Sequence, residues 1–391
     1  MPSLPLSRTA TAAVLGCVGL ALVGWSSLLV PSLIRSIEAD FGQSDAGIGV
    51  FFFVNSVAYV AGSMLGGLLT ELIGRRVVLP LAVALMVVGL AGIASVPAWS
   101  LFLAVGIPFG LGSGAIDGGM NGLILDLYPT SRGRALNLLH LFFSLGALAS
   151  PLVVGRLVET GVEWRMVVVG TAVAAIPVAL LLAATDLPPG RHARSSGAGG
   201  ARMGLALPLV ALAIAIGCYV ASEIGVSNWL VRFLETASLG LATSSLALFW
   251  GCLALGRLVS ARLGDRFDHA RFAATAALVA AVALVAAVVV PSLPASIVLF
   301  GVVGFAFGPV YPLIMAVAGD LFPARSAAVS GFLSGTAVIG AIIYPPVMGF
   351  VSVGLGLGVA MGGAAVLALA CSVVLFLVGR PSAVPAPVPV P

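Results

Sequence analysis

Adding 194 to a position in the second quarter of this chain repeatedly returns the same residue. The coincidences are Gly110/Gly304, Gly114/Gly308, Asp126/Asp320, Leu127/Leu321, Pro129/Pro323, Gly146/Gly340, Pro151/Pro345 and Gly155/Gly349, and DLYPTSR (126–132) returns as DLFPARS (320–326). The offset is gapless and close to half of the 391 residues, so the chain reads as two copies of one unit. The copies diverge at two polar positions: Asp117 answers to Tyr311 and Asn121 to Met315.

The repeated unit is too apolar for water. Sixty per cent of residues are hydrophobic and 8% charged, against about 25% charged in soluble domains, and the mean hydropathy is +1.19. The expected fold class is an all-α membrane protein with twelve spans in two pseudo-symmetric six-helix halves. The spans are expected at 10–34, 46–70, 77–96, 100–127, 134–157, 165–185, 205–233, 242–263, 270–290, 294–321, 327–351 and 355–378, each near or above the ~20 residues a crossing helix needs. The first apolar run lacks a small-residue cleavage site and is expected to be a retained helix. Residues 1–185 form the first half and 205–380 the second. The polar, glycine-rich stretch 186–204 is expected to be a flexible cytoplasmic linker carrying a solvated His192, and 381–391 a disordered Pro-rich tail.

Arginine placement predicts orientation. All 18 basic residues are arginine. With both termini inside, Arg8, Arg75, Arg76, Arg132, Arg134, Arg191, Arg194, Arg202, Arg257, Arg262, Arg266, Arg271, Arg325 and Arg380 fall on the cytoplasmic side. Only Arg35, Arg156, Arg165 and Arg232 fall outside, the asymmetry of an inner (plasma) membrane protein. The outer loops carry Glu38, Asp40, Asp45, Glu159, Glu163 and Glu235 instead. Cys17, Cys218, Cys252 and Cys371 are dispersed in apolar runs, so neither a disulfide framework nor a metal site is indicated. No cofactor or nucleic-acid partner is indicated either.

Two acids, Asp117 and Glu223, lie deep in apolar runs, where a carboxylate costs roughly 2.5–3.5 kcal/mol on the mildest insertion scale. Burial disfavours the charged form of a carboxyl, and such a group can exchange a proton in the physiological range. The competing reading is a structural carboxyl hydrogen-bonded to Asn121 or His140. In span four Gly110, Gly114, Asp117 and Asn121 share one stripe, and in span two Asn55, Tyr59, Gly62 and Gly66 do the same. The small residues admit a close neighbour, while the polar ones face a cavity. Depth counting in the span four–five hairpin permits Asn121–His140 and Asp117–Ser144 contacts. Further candidates are Tyr219, Asn228 and Trp229 in span seven, Trp250 in span eight and Tyr311 in span ten. Trp25 and the other aromatics serve equally as packing or interfacial anchors. Prolines inside spans (Pro151, Pro309, Pro312, Pro345, Pro346) mark bends.

After span two the chain reads GGLLTELIGRR (66–76), answered by GRLVSARLGDR (256–266). Glu71, Arg75, Arg76, Arg262, Asp265 and Arg266 could form a charge-assisted latch between halves, or simply obey the positive-inside rule. GGLLTELIGRR resembles the loop signature of the major facilitator superfamily, glycine-x-leucine-alanine-aspartate-arginine-x-glycine-arginine-arginine. Gly67, Leu69, Gly74, Arg75 and Arg76 match, Glu71 replaces the aspartate and Leu72 the first arginine. Within that superfamily Asp117-x-x-x-Asn121, NLLHLFFSLG (137–146), GPVYP (308–312) and SEIGVSNW (222–229) are similar to the fucose permease-like sugar:proton symporters. The acid those symporters often place in the first helix has no counterpart in GWSSLLVP (24–31).

The resemblance implies the major facilitator fold and a monomeric secondary carrier, not an enzyme. It would move a small solute, sugar or sugar-like, together with a proton (sodium being the second option), by alternating access in the lipid bilayer. One feature favours a runner-up, a proton-driven exporter of an amphiphilic metabolite or drug: buried amides, which would serve sugar hydroxyls, are few. A receptor or scaffold would need large soluble domains, and an intramembrane enzyme a nucleophile or metal cluster at usable spacing.

Overall fold

A computed structural model describes residues 6–129, 132–188, 206–263, 266–323 and 326–379. Its elements are α1 (Leu6–Ser27), α2 (Leu29–Phe41), α3 (Asp45–Leu72), α4 (Arg75–Ser95), α5 (Trp99–Leu127), α6 (Arg132–Glu159), α7 (Trp164–Ala184), α8 (Leu207–Phe233), α9 (Leu239–Leu263), α10 (His269–Val289), α11 (Leu293–Phe307), α12 (Val310–Leu321), α13 (Ser326–Leu355) and α14 (Leu357–Val378). Among the described residues they make twelve helices long and apolar enough to cross a membrane. Two spans are broken mid-course. The first pauses at Leu28, where Pro31 has no N–H to return to the Ser27 carbonyl, and then runs on to Phe41, past the expected end. The tenth is interrupted at Gly308–Pro309.

Several turns are short because a glycine takes the conformation that closes them. Gly74 (φ +91°) joins α3 to α4 and Gly356 (φ +82°) joins α13 to α14, angles at which a side chain is strained. With an even number of crossings, α1 begins and α14 ends on the same face, called here the near end; the opposite face is the far end.

The duplication reappears in the packing. A Cβ at Gly62 would collide with the Leu111 carbonyl, and one at Gly256, 194 residues on, with that of Phe305. Gly110 meets the Asn55 carbonyl as Gly304 meets that of Phe249. Near-end contacts to an acid repeat as well: Arg75–Asp126 at 2.5 Å corresponds to the hydrogen-bonding contact of His269 with Asp320 at 2.9 Å. Close backbone approach at glycine lets α3 pack on α5 and α9 on α11, where dispersion rather than water exclusion holds helices together in lipid. The halves meet along α3 with α13, α6 with α9 and α2 with α8.

At the far end the halves are bonded across their seam. Arg35 on α2 donates to the carbonyls of Val231 (2.9 Å), Ala237 (2.9 Å) and Leu234, satisfying the end of α8. In return, Arg232 on α8 pairs with Glu38 (2.9 Å) and Asp45 (3.0 Å) as well as with Glu235 of its own half. Gly349 on α13 abuts the Asp45 carbonyl and Gly49 on α3 abuts Pro346.

Candidate functional site

A cavity of about 590 Å³ lies between the halves. Its wall includes Ser26 to Leu28 at the first-span break, Phe52, Asn55 and Tyr59 of α3, Phe109 and Asp117 of α5, Phe143 of α6, Ser227 and Asn228 of α8, Trp250 of α9 and Ser334 to Ile342 of α13. The far-end bonds close one side. Gly335 of α13, with nothing within 4 Å of the place a Cβ would take, also lines the cavity.

Asp117 sits where α3 and α5 come closest. Gly114, one turn earlier, rests on the Tyr59 backbone and Gly118 on that of Ser63, and this approach sets the Tyr59 hydroxyl facing the Asp117 carboxyl. Asn121 donates its amide to both the carbonyl and the carboxylate of Asp117, each at 2.9 Å. The contacts permitted by depth counting are therefore not the ones made. Asn121 turns to its own helix rather than to His140. The Ser144 hydroxyl donates to the His140 carbonyl (3.1 Å), not to Asp117, because a hydroxyl in a helix finds an acceptor one turn back without leaving it. His140, exposed, lies within electrostatic reach of Asp117 on one side and Arg257 on the other.

Arg257 connects the two halves, and sequence reasoning missed it. It was counted with the cytoplasmic arginines, but it lies inside α9, and its Nη2 stands 3.8 Å from Oε1 of Glu223, a carboxyl only 5% exposed. Beside this pair lies the Tyr219 ring, fully buried, with its hydroxyl within reach of both the Glu223 carboxyl and the Arg257 guanidinium. Ionisable side chains thus run from Asp117 (α5) through His140 (α6) and Arg257 (α9) to Glu223 (α8), crossing the seam. The repeat carried a signal that could have found Arg257: position 257 is 194 after Ser63, itself in the cavity wall. Similarly His140 corresponds to Ser334 and Asp117 to Tyr311, whose hydroxyl lies 3.2 Å from that of Ser334.

The other candidates divide. Asn228 and Trp250 line the cavity, but the Trp250 indole donates to Ser227 (2.9 Å). Asn55 lines it while donating to the Gly106 carbonyl of α5 (3.2 Å). Trp229 does not face the cavity. It is fully buried, donates to the Pro345 carbonyl (2.9 Å) and stacks edge-on against Phe52 across the seam, 5.6 Å between ring centroids. Its large ring seals the halves together instead of presenting a face to solute.

The latch residues also separate. Arg75, 3% exposed, pairs with Asp126 of its own half. Arg76, Arg262 and Arg266 are exposed, and Asp265 lies outside the described residues. The ionic clamp across the seam is instead the far-end one, built from Arg35, Arg232, Glu38 and Asp45. Among the described residues no group of three or more His, Cys, Asp or Glu side chains is placed to hold a metal ion.

A family model described as Major Facilitator Superfamily matches residues 14–251 and 204–391. Among curated proteins, Protein TsgA of Salmonella schwarzengrund is 26% identical over 236 residues, 59% of this chain and 60% of that protein. Protein TsgA of Salmonella arizonae is 25% identical over 221 residues, 56% of this chain and 53% of its own. The matches thus span little more than half of these relatives. Among solved structures, an inward-facing, occupied bacterial homologue of the human lysosomal transporter Spinster superposes with a TM-score of 0.80 at 17% identity, covering 98% of this chain and all of that one. A D-xylose-proton symporter gives 0.78 at 15% identity, with 94% and 97% covered. At such identities the likeness is one of fold.

Proposed function

The chain belongs to the major facilitator superfamily, and from that premise we propose that it is a proton-coupled carrier working by alternating access, with its solute bound between the halves. The observation that carries this reading is the line of ionisable groups across the seam, Asp117–His140–Arg257–Glu223. Two carboxyls, one per half, with Glu223 buried and Asp117 half-buried in the cavity wall, suit a device that loads a proton on one side and releases it on the other. Arginine asymmetry supports a plasma-membrane location with cytoplasmic termini, so the near end faces the cytoplasm and the far-end clamp holds an inward-facing state. Glu71, Arg75 and the exposed near-end arginines would act when that end closes. Sodium is the less favoured ion, because Asp117 is already occupied by the Asn121 amide.

The solute reading turns on free hydrogen-bond groups. A monosaccharide, the solute type suggested by the sequence resemblance, presents hydroxyls all round, each costly if left unpaired. The indoles of Trp25 and Trp250 and the Asn55 amide are already taken by protein acceptors, and Phe52, Phe109, Phe143, Val338 and Ile342 make much of the wall apolar. This lining favours an amphiphilic solute over a sugar. The test is accumulation by proteoliposomes under an imposed pH gradient, using solutes first found to raise the melting temperature of the purified chain. Wild type concentrates the solute; Asp117→Asn and Glu223→Gln each lose gradient-driven accumulation at least about tenfold while still binding. Wild-type accumulation by both variants would remove the coupling assignment.

A further inference from the structure

We infer that Arg257 is an oxyanion receptor, and that the solute is a small organic anion with an apolar body. This deepens the proton-coupled reading and rests on it. The clearest sign is how little holds the guanidinium. Arg35 donates to three carbonyls. Arg75 reaches Asp126 and the Pro188 carbonyl. Arg165 holds Asp40 and two carbonyls, and Arg232 engages three carboxylates. Arg257 also lies within a span and is only 35% exposed, yet its ionic contact to Glu223 is a single one at 3.8 Å, beyond ordinary hydrogen-bond length. Among the described residues this planar fork of five N–H donors meets the Glu223 carboxyl, at 3.8 Å, and the Tyr219 hydroxyl, so most of its donors remain to take a bidentate carboxylate or another oxyanion on the seam of a carrier. Ile224, next to Glu223 on α8, lines the apolar cavity, which would receive the remainder of the solute.

Charge balance then supplies the coupling. In the empty site Glu223 is the counterion of Arg257. The groups facing the guanidinium are Glu223 and Tyr219 from α8 and His140 from α6, with Asp117 of α5 beyond His140. An arriving anion would place two negative charges against one positive charge beside the buried Glu223 carboxyl, and such an excess is expensive. A proton taken up by the Glu223 carboxylate restores neutrality and frees the guanidinium for the solute. Proton and anion therefore bind together and leave together, the proton returning to water when Glu223 re-forms its pair.

The test is the melting-temperature shift of the full chain in detergent with matched acid and amide pairs (hexanoate with hexanamide, benzoate with benzamide, phenylphosphonate with its neutral diester) and with D-xylose as a neutral polyol. The expected result is stabilisation by at least one acid and not by its neutral partner. Arg257→Gln should weaken that binding at least about tenfold, with Arg257→Lys intermediate. Glu223→Gln should bind the acid more tightly and lose the pH dependence of binding. Variants are compared by their own ligand-free melting transitions, so misfolding is read separately from lost binding. If no acid outperforms its neutral partner, or if Arg257→Gln keeps the acid response, the anion site is refuted. Stabilisation by xylose alone, with protons moving alongside it in liposomes, would overturn the anion assignment and leave the proton-coupled reading standing. An acid bound through Arg257 but carried without proton movement would do the reverse.

Discussion

Gly114 shows how one missing side chain positions a charged one. Its Cα face lies against the Tyr59 backbone, and a methyl group there would overlap the Tyr59 carbonyl. We predict that Gly114→Ala forces α3 and α5 apart, costs about 1–3 kcal/mol of stability and parts Tyr59 from Asp117. Gly67→Ala on the same α3 meets nothing within 4 Å and should leave the melting temperature unchanged. Equal melting shifts in the two variants would contradict the close-approach explanation. Legibility at this scale was uneven. Asp117 and Glu223 stood out because a carboxyl in an apolar run demands a reason. Arg257 did not, because the positive-inside rule already accounted for an arginine near a span end. Trp229 enters the candidates through the SEIGVSNW resemblance and its place beside Glu223, Ser227 and Asn228, and nearness in sequence does not say which way a ring points.

Among the elements, α2 and α8 carry the bonds that join the halves at the far end. The bonds of Arg35 connect residues 196 to 202 positions apart, and Arg232 reaches Asp45 across 187. No local pattern announces such partners, so sequence reading saw these residues only as outer-loop charges. Removing the clamp should favour opening at the far end. In a background with the four native cysteines replaced, Thr243→Cys, fully buried against Gly155 at the seam, would report that opening through a water-soluble maleimide added from the far side. Arg35→Gln and Arg232→Gln should each raise the labelling rate severalfold, up to about tenfold for ~1.4 kcal/mol of lost closure. An unchanged rate in both would show that the clamp does not hold the state. The break at Leu28 belongs to the same scale. Pro31→Ala would return an N–H to the Ser27 carbonyl and straighten the first span. The expected outcome is a higher melting temperature with slower solute exchange, and faster exchange would contradict a role for the break in gating.

For the whole molecule, the repeat and the hydropathy specified nearly everything about the architecture. Twelve spans followed from the length of the apolar runs, and the pairing of two alike halves followed from the 194-residue offset. That same offset reappears in the glycine seams and in the Arg75–Asp126 and His269–Asp320 pairs. The proposed site lies where the copies stop matching. Asp117 faces Tyr311 in the repeat, His140 faces Ser334 and Ser63 faces Arg257, so each copy supplies what the other lacks. Among the described residues, Arg75 pairs with Asp126 of its own half, and Arg76, Arg262 and Arg266 are exposed at the near end.

The most direct test of the carrier account needs no imposed pH gradient. Proteoliposomes with a pH-sensitive dye in the lumen receive an outward-to-inward gradient of a solute that stabilises the purified chain. Wild type should change lumenal pH as the solute crosses, while Asp117→Asn combined with Glu223→Gln should move solute down its gradient with no pH change. Solute entry through wild type with lumenal pH unmoved, or a pH change of wild-type size in the double variant, would contradict the assignment of proton coupling to the carboxyls between the halves.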